Sequence, residues 1–150
     1  MILMAQAVPT ATRLPCVTSV PIGWRFLAGN FHTGRASFWF GLDPTGSRVL
    51  TVVLTPRCDV SRAEATPTDE PGTDRYDLPI MVRPQFEEIR SYVFPGGCVT
   101  YAFAASAGTA TRLTADAGSA LSFLPRTALV DEVARQEHLL LCGAGVRCGP

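Results

Sequence analysis

Between Cys98 and Phe103 the chain alternates. Val99, Tyr101 and Phe103 fall on one side of an extended strand and Cys98, Thr100 and Ala102 on the other, because successive strand side chains point to opposite faces. The bulky set reads as a core face. The small set leaves room for a helix or a neighbouring sheet to pack closely. Ile89 to Phe94 precedes this run across Pro95-Gly96-Gly97, a strong turn signal, so the pair predicts a β-hairpin. A second hairpin is predicted upstream. Ala36 to Leu42 is aromatic and extended, Arg48 to Thr55 is dominated by β-branched residues, and Asp43-Pro44-Thr45-Gly46 lies between them. That tetrapeptide suits a type I turn, since proline pre-sets its own φ and glycine tolerates the return of the chain. Trp24 to Ala28 predicts a further short strand, followed by a turn over Asn30 to Gly34.

The remaining segments carry weaker patterns. Residues 1–20 are rich in Ala, Thr and Pro without a sustained period, which predicts an irregular N-terminal arm. Arg62 to Asp74 is polar and predicts a surface loop. Pro79 and Pro84 demote Tyr76 to Val82 to an edge strand at most, and Gln85 to Arg90 reads as a single helical turn. The last third turns helical. Thr114 or Asp116 is placed to cap a short helix through Phe123 that Pro125 stops. Thr127 is placed to cap a longer one, Ala128 to Leu141, with Leu129, Val133 and Leu140 on its inner stripe. Strands followed by helices, rather than alternating with them, predict an α+β fold. The expected architecture is a mainly antiparallel sheet of four to six strands with one or two C-terminal helices on one face, forming one domain over residues 21–150.

Composition narrows the function classes. A chain of 150 residues buries roughly 70% of the surface its unfolded form exposes, so a core needs no outside help. Hydrophobic residues at 47% and charged residues at 17% are the reverse of a disordered composition. The 13 basic residues, all Arg, balance 13 acidic ones, and a neutral domain has no general attraction to phosphate backbones. Nucleic acid is therefore not an expected partner. No run approaches the roughly 20 apolar residues of a membrane span. Met1 to Ala5 is too short for a signal-peptide core and no basic residue precedes it. The chain reads either as cytoplasmic or as the exported part of a longer gene product.

The cysteines are Cys16, Cys58, Cys98, Cys142 and Cys148, and their spacing matches no common metal or redox motif. Cys142 and Cys148 flank a five-residue loop with two glycines, which can bring two Cα atoms within disulfide range, so this pair is the first expected disulfide. Cys58 ends one predicted strand and Cys98 begins another, so these two are candidates to bridge neighbouring strands. Cys16 is left over. His138, Cys142 and Cys148 supply three of the four ligands that a closed zinc site needs, and no fourth is in reach of the pattern. No metal or other cofactor is expected.

The runs Leu50-Thr-Val-Val-Leu-Thr-Pro-Arg-Cys-Asp-Val60 and Tyr92-Val-Phe-Pro-Gly-Gly-Cys-Val-Thr-Tyr-Ala-Phe103 resemble exported or membrane-anchored domains of unknown function in high-GC Gram-positive bacteria. The resemblance covers about residues 36–130. It implies an extracytoplasmic place and disulfides, and no activity.

Candidate chemistry is sparse. No phosphate loop, dinucleotide fingerprint or nucleophile elbow is present in the sequence. The densest feature is aromatic, over Trp24, Phe26, Phe31, Phe38, Trp39 and Phe40. Phe38 and Phe40 share a strand face and Trp39 opposes them. Trp39 is either buried on a second covered face or exposed as an anchor for a protein, glycan or lipid partner. Trp24, Phe38, Trp39 and Phe40 are thus the expected contact residues of a non-enzymatic binding or accessory domain, facing a protein or cell-envelope partner. The alternative is a hydrolase or transferase using Cys98 or the pair His32 and His138.

Overall fold

The computed structural model describes residues 1–82, 85–106 and 110–145. Its elements are α1 (Ile2–Ala7), β1 (Arg13–Val17), β2 (Trp24–His32), β3 (Arg35–Leu42), β4 (Ser47–Thr55), β5 (Glu64–Thr66), β6 (Asp74–Val82), β7 (Gln85–Phe94), β8 (Gly97–Ser106), α2 (Ala110–Ala120), β9 (Leu121–Pro125) and α3 (Arg126–Gln136). The fold is α+β. A seven-stranded antiparallel sheet runs in the order β2-β3-β4-β8-β7-β6-β5, and β1 pairs with β9 in a separate two-stranded sheet. The main sheet is wider than the four to six strands expected, because β5 forms within the polar segment read as a surface loop and adds a strand at one edge.

Both predicted hairpins form. Phe94 pairs with Gly97 across Pro95-Gly96, and Gly96 takes the positive φ (75°) that the turn requires. Upstream, β3 and β4 pair from Ala36–Leu54 to Leu42–Ser47. Their loop closes with the Gly46 N–H donating to the Leu42 carbonyl at 2.7 Å, one residue wider than the expected type I turn. Past β4, Cys58 bonds to Cys98 at the start of β8, with Cα atoms 5.7 Å apart. The bridge joins neighbouring strands, as expected.

One face of the sheet carries Phe38, Phe40, Leu50, Val52, Leu54, Val99, Tyr101 and Phe103, all buried. They are covered by Met4 and Ala5 of α1, Leu14 of β1, Leu113 and Ala117 of α2, Phe123 of β9, and Leu129 and Val133 of α3. Aromatic rings meet edge to face across this core, as in Phe38–Phe40 and Phe94–Phe123.

Several local expectations change. Residues 1–20 are not an irregular arm: α1 and β1 lie there, and Ala5, Val8, Ala11 and Leu14 are wholly buried. A helix of six residues carries no period long enough to recognise, and it stands by packing rather than propensity. β2 continues through His32, so Asn30 belongs to a strand rather than a turn. Gln85 to Arg90 is strand, not a helical turn, because it pairs on both sides with β6 and β8. Leu121 to Pro125 leaves the expected helix and pairs with β1, while α3 begins one residue before Thr127 and ends at Gln136. Leu140 is consequently exposed. Pro79 sits where β6 has lost its β5 neighbour, since β5 pairs only with Arg75 to Asp77, so its missing N–H faces no strand. Pro84 and Cys148 lie outside the described residues. Cys142 is disulfide-bonded.

Candidate functional site

The aromatic residues expected to form a contact surface divide between two faces. Trp24, Phe38 and Phe40 are core residues, each less than a tenth exposed. Trp39 points to the opposite face and is partly buried. The Arg48 guanidinium carbon lies 4.6 Å from the centroid of its ring, a cation–π contact that covers the ring. Trp39 is therefore partly covered rather than open to solvent on its whole face.

The exposed apolar surface lies instead around Phe26 and Phe31, 58% and 37% exposed. These residues are five apart, so a regular strand would send them to opposite faces. A β-bulge between Phe26 and Ala28 changes that register. Phe26 pairs with Phe40, and Phe31 with Ala36, which puts both rings on the core face of the sheet, beyond the last residues that the helices cover. There they wall a groove of about 480 Å³ with Met1, Met4, Pro15, Cys16, Val17 and Phe38. The floor is Phe38, and α1 and β1 form the far side. The volume is that of a small-molecule or side-chain pocket. Cys16 is a free thiol whose Sγ lies 3.0 Å from Ser122 Oγ on β9.

Four separated segments build this groove, which is why the sequence did not reveal it. The one local signal was the pair Phe26 and Phe31, and it is unreadable without knowing the bulge. Phe38 alone among the expected contact residues takes part.

A second cluster is polar. Arg75 donates to Asp77 through Nη2 at 2.7 Å, Arg90 donates to Glu88 at 2.9 Å, and the Tyr92 hydroxyl donates to Asp69 at 2.8 Å. Burial raises the Tyr92 phenol and that of Tyr101. The Glu70 carboxyl is also raised, first by burial and then by the Asp69 carboxylate. Asp69, Glu70, Arg90, Tyr92 and Tyr101 line a space of about 10 Å³, enough for about one water molecule and too small for a substrate. It acts as a polar brace under the loop that connects β5 and β6.

The residues weighed for catalysis do not assemble. Cys98 is wholly buried in its disulfide with Cys58, so it presents no thiolate. His32 ends β2, with Nδ1 at 3.5 Å from the neighbouring Thr33 carbonyl, and His138 follows α3 with a positive φ of 54°. No cluster of three metal-ligating side chains occurs among the described residues, and no described helix is long and apolar enough to cross a membrane.

No family model matches this chain, and no curated protein matches it. The resemblance over residues 36–130 rests on its residue pattern alone.

Proposed function

We propose that this chain is a non-enzymatic, extracytoplasmic binding domain that takes up an extended, apolar segment of a partner polypeptide. The observation that carries the reading is the position of the groove. It opens along β2, the outermost strand of the seven-stranded sheet, so an apolar wall adjoins a strand edge that no further described strand pairs. A free edge recognises another backbone through main-chain hydrogen bonds, and pockets beside it select alternate side chains. The Cys58–Cys98 disulfide supports an oxidising compartment. So does the resemblance to exported domains.

Selection from a displayed library of random decapeptides tests the proposal. Peptides alternating apolar and polar residues should be enriched, and Phe31→Asp or Phe26→Asp should weaken their binding about tenfold or more while the fold, checked by circular dichroism, persists. No enrichment, or binding indifferent to both substitutions, would remove this reading.

A further inference from the structure

The main sheet has a second face, away from its helices. α1, α2 and α3 pack on the side of Phe38, Leu50 and Phe103. One row of paired residues crosses the other side: Trp39 of β3, Thr51 of β4, Ala102 of β8, Ile89 of β7 and Leu78 of β6. Each is partly buried and uncharged. A sheet face left in water ordinarily carries polar residues, and this row does not. Residues 56–63, on the way from β4 to β5, take the end of the face beyond it. There Cys58 is bonded to Cys98, its Sγ lies 3.2 Å from Thr100 Oγ1, and Ser91 is buried. The row from Trp39 to Leu78 borders the part that stays open.

The strand charges on this face are segregated. Side chains alternate between faces along a strand, which places Arg35 and Arg48 here on β3 and β4, and Asp74 and Glu87 here on β6 and β7. All four are exposed, and none joins an ion pair among the described residues. Arg25 of β2 points the same way but is paired with Asp43 at 3.4 Å. Cations thus lie on one side of β8 and anions on the other.

β8 is the middle strand, with β4, β3 and β2 to one side and β7, β6 and β5 to the other. A twofold axis along β8, in the plane between two facing sheets, sets β4 of one copy against β7 of the other and β3 against β6. Trp39 then meets Leu78 of the second copy, Thr51 meets Ile89, and Ala102 meets itself. Glu87 is one same-face step from Ile89. The irregularity between Phe40 and Gly41 brings Arg48 to the matching row, opposite Gly41. Arg48 and Glu87 therefore meet reciprocally, once on each side of the axis, as an isologous interface requires. Arg35 and Asp74 repeat the arrangement at the other end, where residues 56–63 hold the sheets further apart, so they steer approach rather than bond.

We propose that this face binds a second copy of the chain, in a reversible twofold dimer of face-to-face sheets. Strands about 4.8 Å apart, rising about 3.3 Å per residue, give the open part of β3, β4, β8, β7 and β6 roughly 25 by 20 Å. That is below the ~800 Å² per partner of a standard interface, so the dimer is weak. The face is on the opposite side of the sheet from the groove beside β2 and does not depend on what that groove binds.

Sedimentation equilibrium of the intact chain, up to about 1 mM protein, reads the association directly. A reversible monomer–dimer equilibrium is expected. Arg48→Glu and Glu87→Arg each place two like-charge contacts in the dimer and should each weaken it about tenfold or more. The double variant exchanges the charges and should return to near the native constant. Ala102→Arg sets two cations on the axis and should leave a monomer. Phe26→Asp, in the groove, should change nothing. Circular dichroism establishes that each variant is folded, and if Ala102→Arg is not, the charge exchange decides. A chain that is monomeric over the whole range would overturn the proposal. So would a folded double variant no stronger than the single ones, a dimer that persists in folded Ala102→Arg, or a dimer lost in Phe26→Asp.

Discussion

The Tyr92 hydroxyl donates a 2.8 Å hydrogen bond to Oδ1 of Asp69 and so ties the loop between β5 and β6 to the centre of the sheet. Arg75 approaches the same carboxylate oxygen at 3.6 Å from the other side. The neighbouring Tyr101, in ring contact with Tyr92 at 5.5 Å between centroids, has a buried hydroxyl with no partner.

The two tyrosines should answer the same substitution differently. Tyr92→Phe removes a made hydrogen bond to a charged acceptor and should cost about 1.5 kcal/mol or more. Tyr101→Phe removes a buried, unpaired hydroxyl and should be neutral or stabilising. Urea denaturation of the two variants checks this, and an equal loss in both would contradict it.

The Cys58–Cys98 bond closes a segment with a sequence separation of 40. In the chain-entropy picture, removing it with Cys58→Ala and Cys98→Ala together should cost about 4 kcal/mol. The comparison belongs in non-reducing buffer, where the Cys142 bond persists in both proteins. A loss below about 1 kcal/mol would show that the open chain is already constrained near this geometry.

Gly96 and Gly34 share a positive φ, 75° and 81°, but not their surroundings. A Cβ at Gly96 would collide with the Thr10 carbonyl, whereas one at Gly34 would meet nothing within 4 Å. Gly34→Ala should therefore cost only the backbone term of about 1–2 kcal/mol. Gly96→Ala should cost clearly more, and should also loosen the Thr10 and Thr12 hydroxyl bonds to the Gly96 and Pro95 carbonyls. Thermal melts of the two variants give the ranking.

Glu70 makes stability depend on pH in a defined direction. Burial, and then the Asp69 carboxylate, raise its carboxyl above the ordinary value. A group with a raised folded-state pKa favours folding while protonated, and that contribution is lost as pH rises through the folded value. Glu70→Gln keeps the side chain neutral, so it should melt higher than the native chain near neutral pH. The gap should close as pH falls below about 4.3, the usual glutamate value. Equal melting at neutral pH, or a gap that widens on acidification, would refute the assignment.

Much of the sheet was legible because its signals are local. Val99, Tyr101 and Phe103 alternate as a strand must, and Pro95-Gly96 turns the chain with chemistry that needs no distant partner. Cys58 and Cys98 could be matched because each sits at the end of a strand belonging to one of the two readable hairpins. Gln85 to Arg90 was misread because Glu87 and Glu88 hide the period. Only pairing with β6 and β8 makes it extended. Leu121 to Phe123 looked like the end of a helix for the same reason, and β1 decides otherwise.

The sequence by itself determined the α+β class and the antiparallel hairpins, which follow from side-chain alternation and turn residues within short stretches, and it made Cys58 and Cys98 candidates for a link that the structure forms. Tertiary structure decided the rest. Residues 1–20 fold because the core face offers Met4, Ala5, Val8 and Leu14 a place to be buried. Phe26 and Phe31 form one wall because a single bulge restores their common face. Arg126 is buried because Ala5 and Cys142, distant in the chain, close around it. Burial, register and desolvation are properties of the assembled molecule, and no stretch of the chain carries them alone.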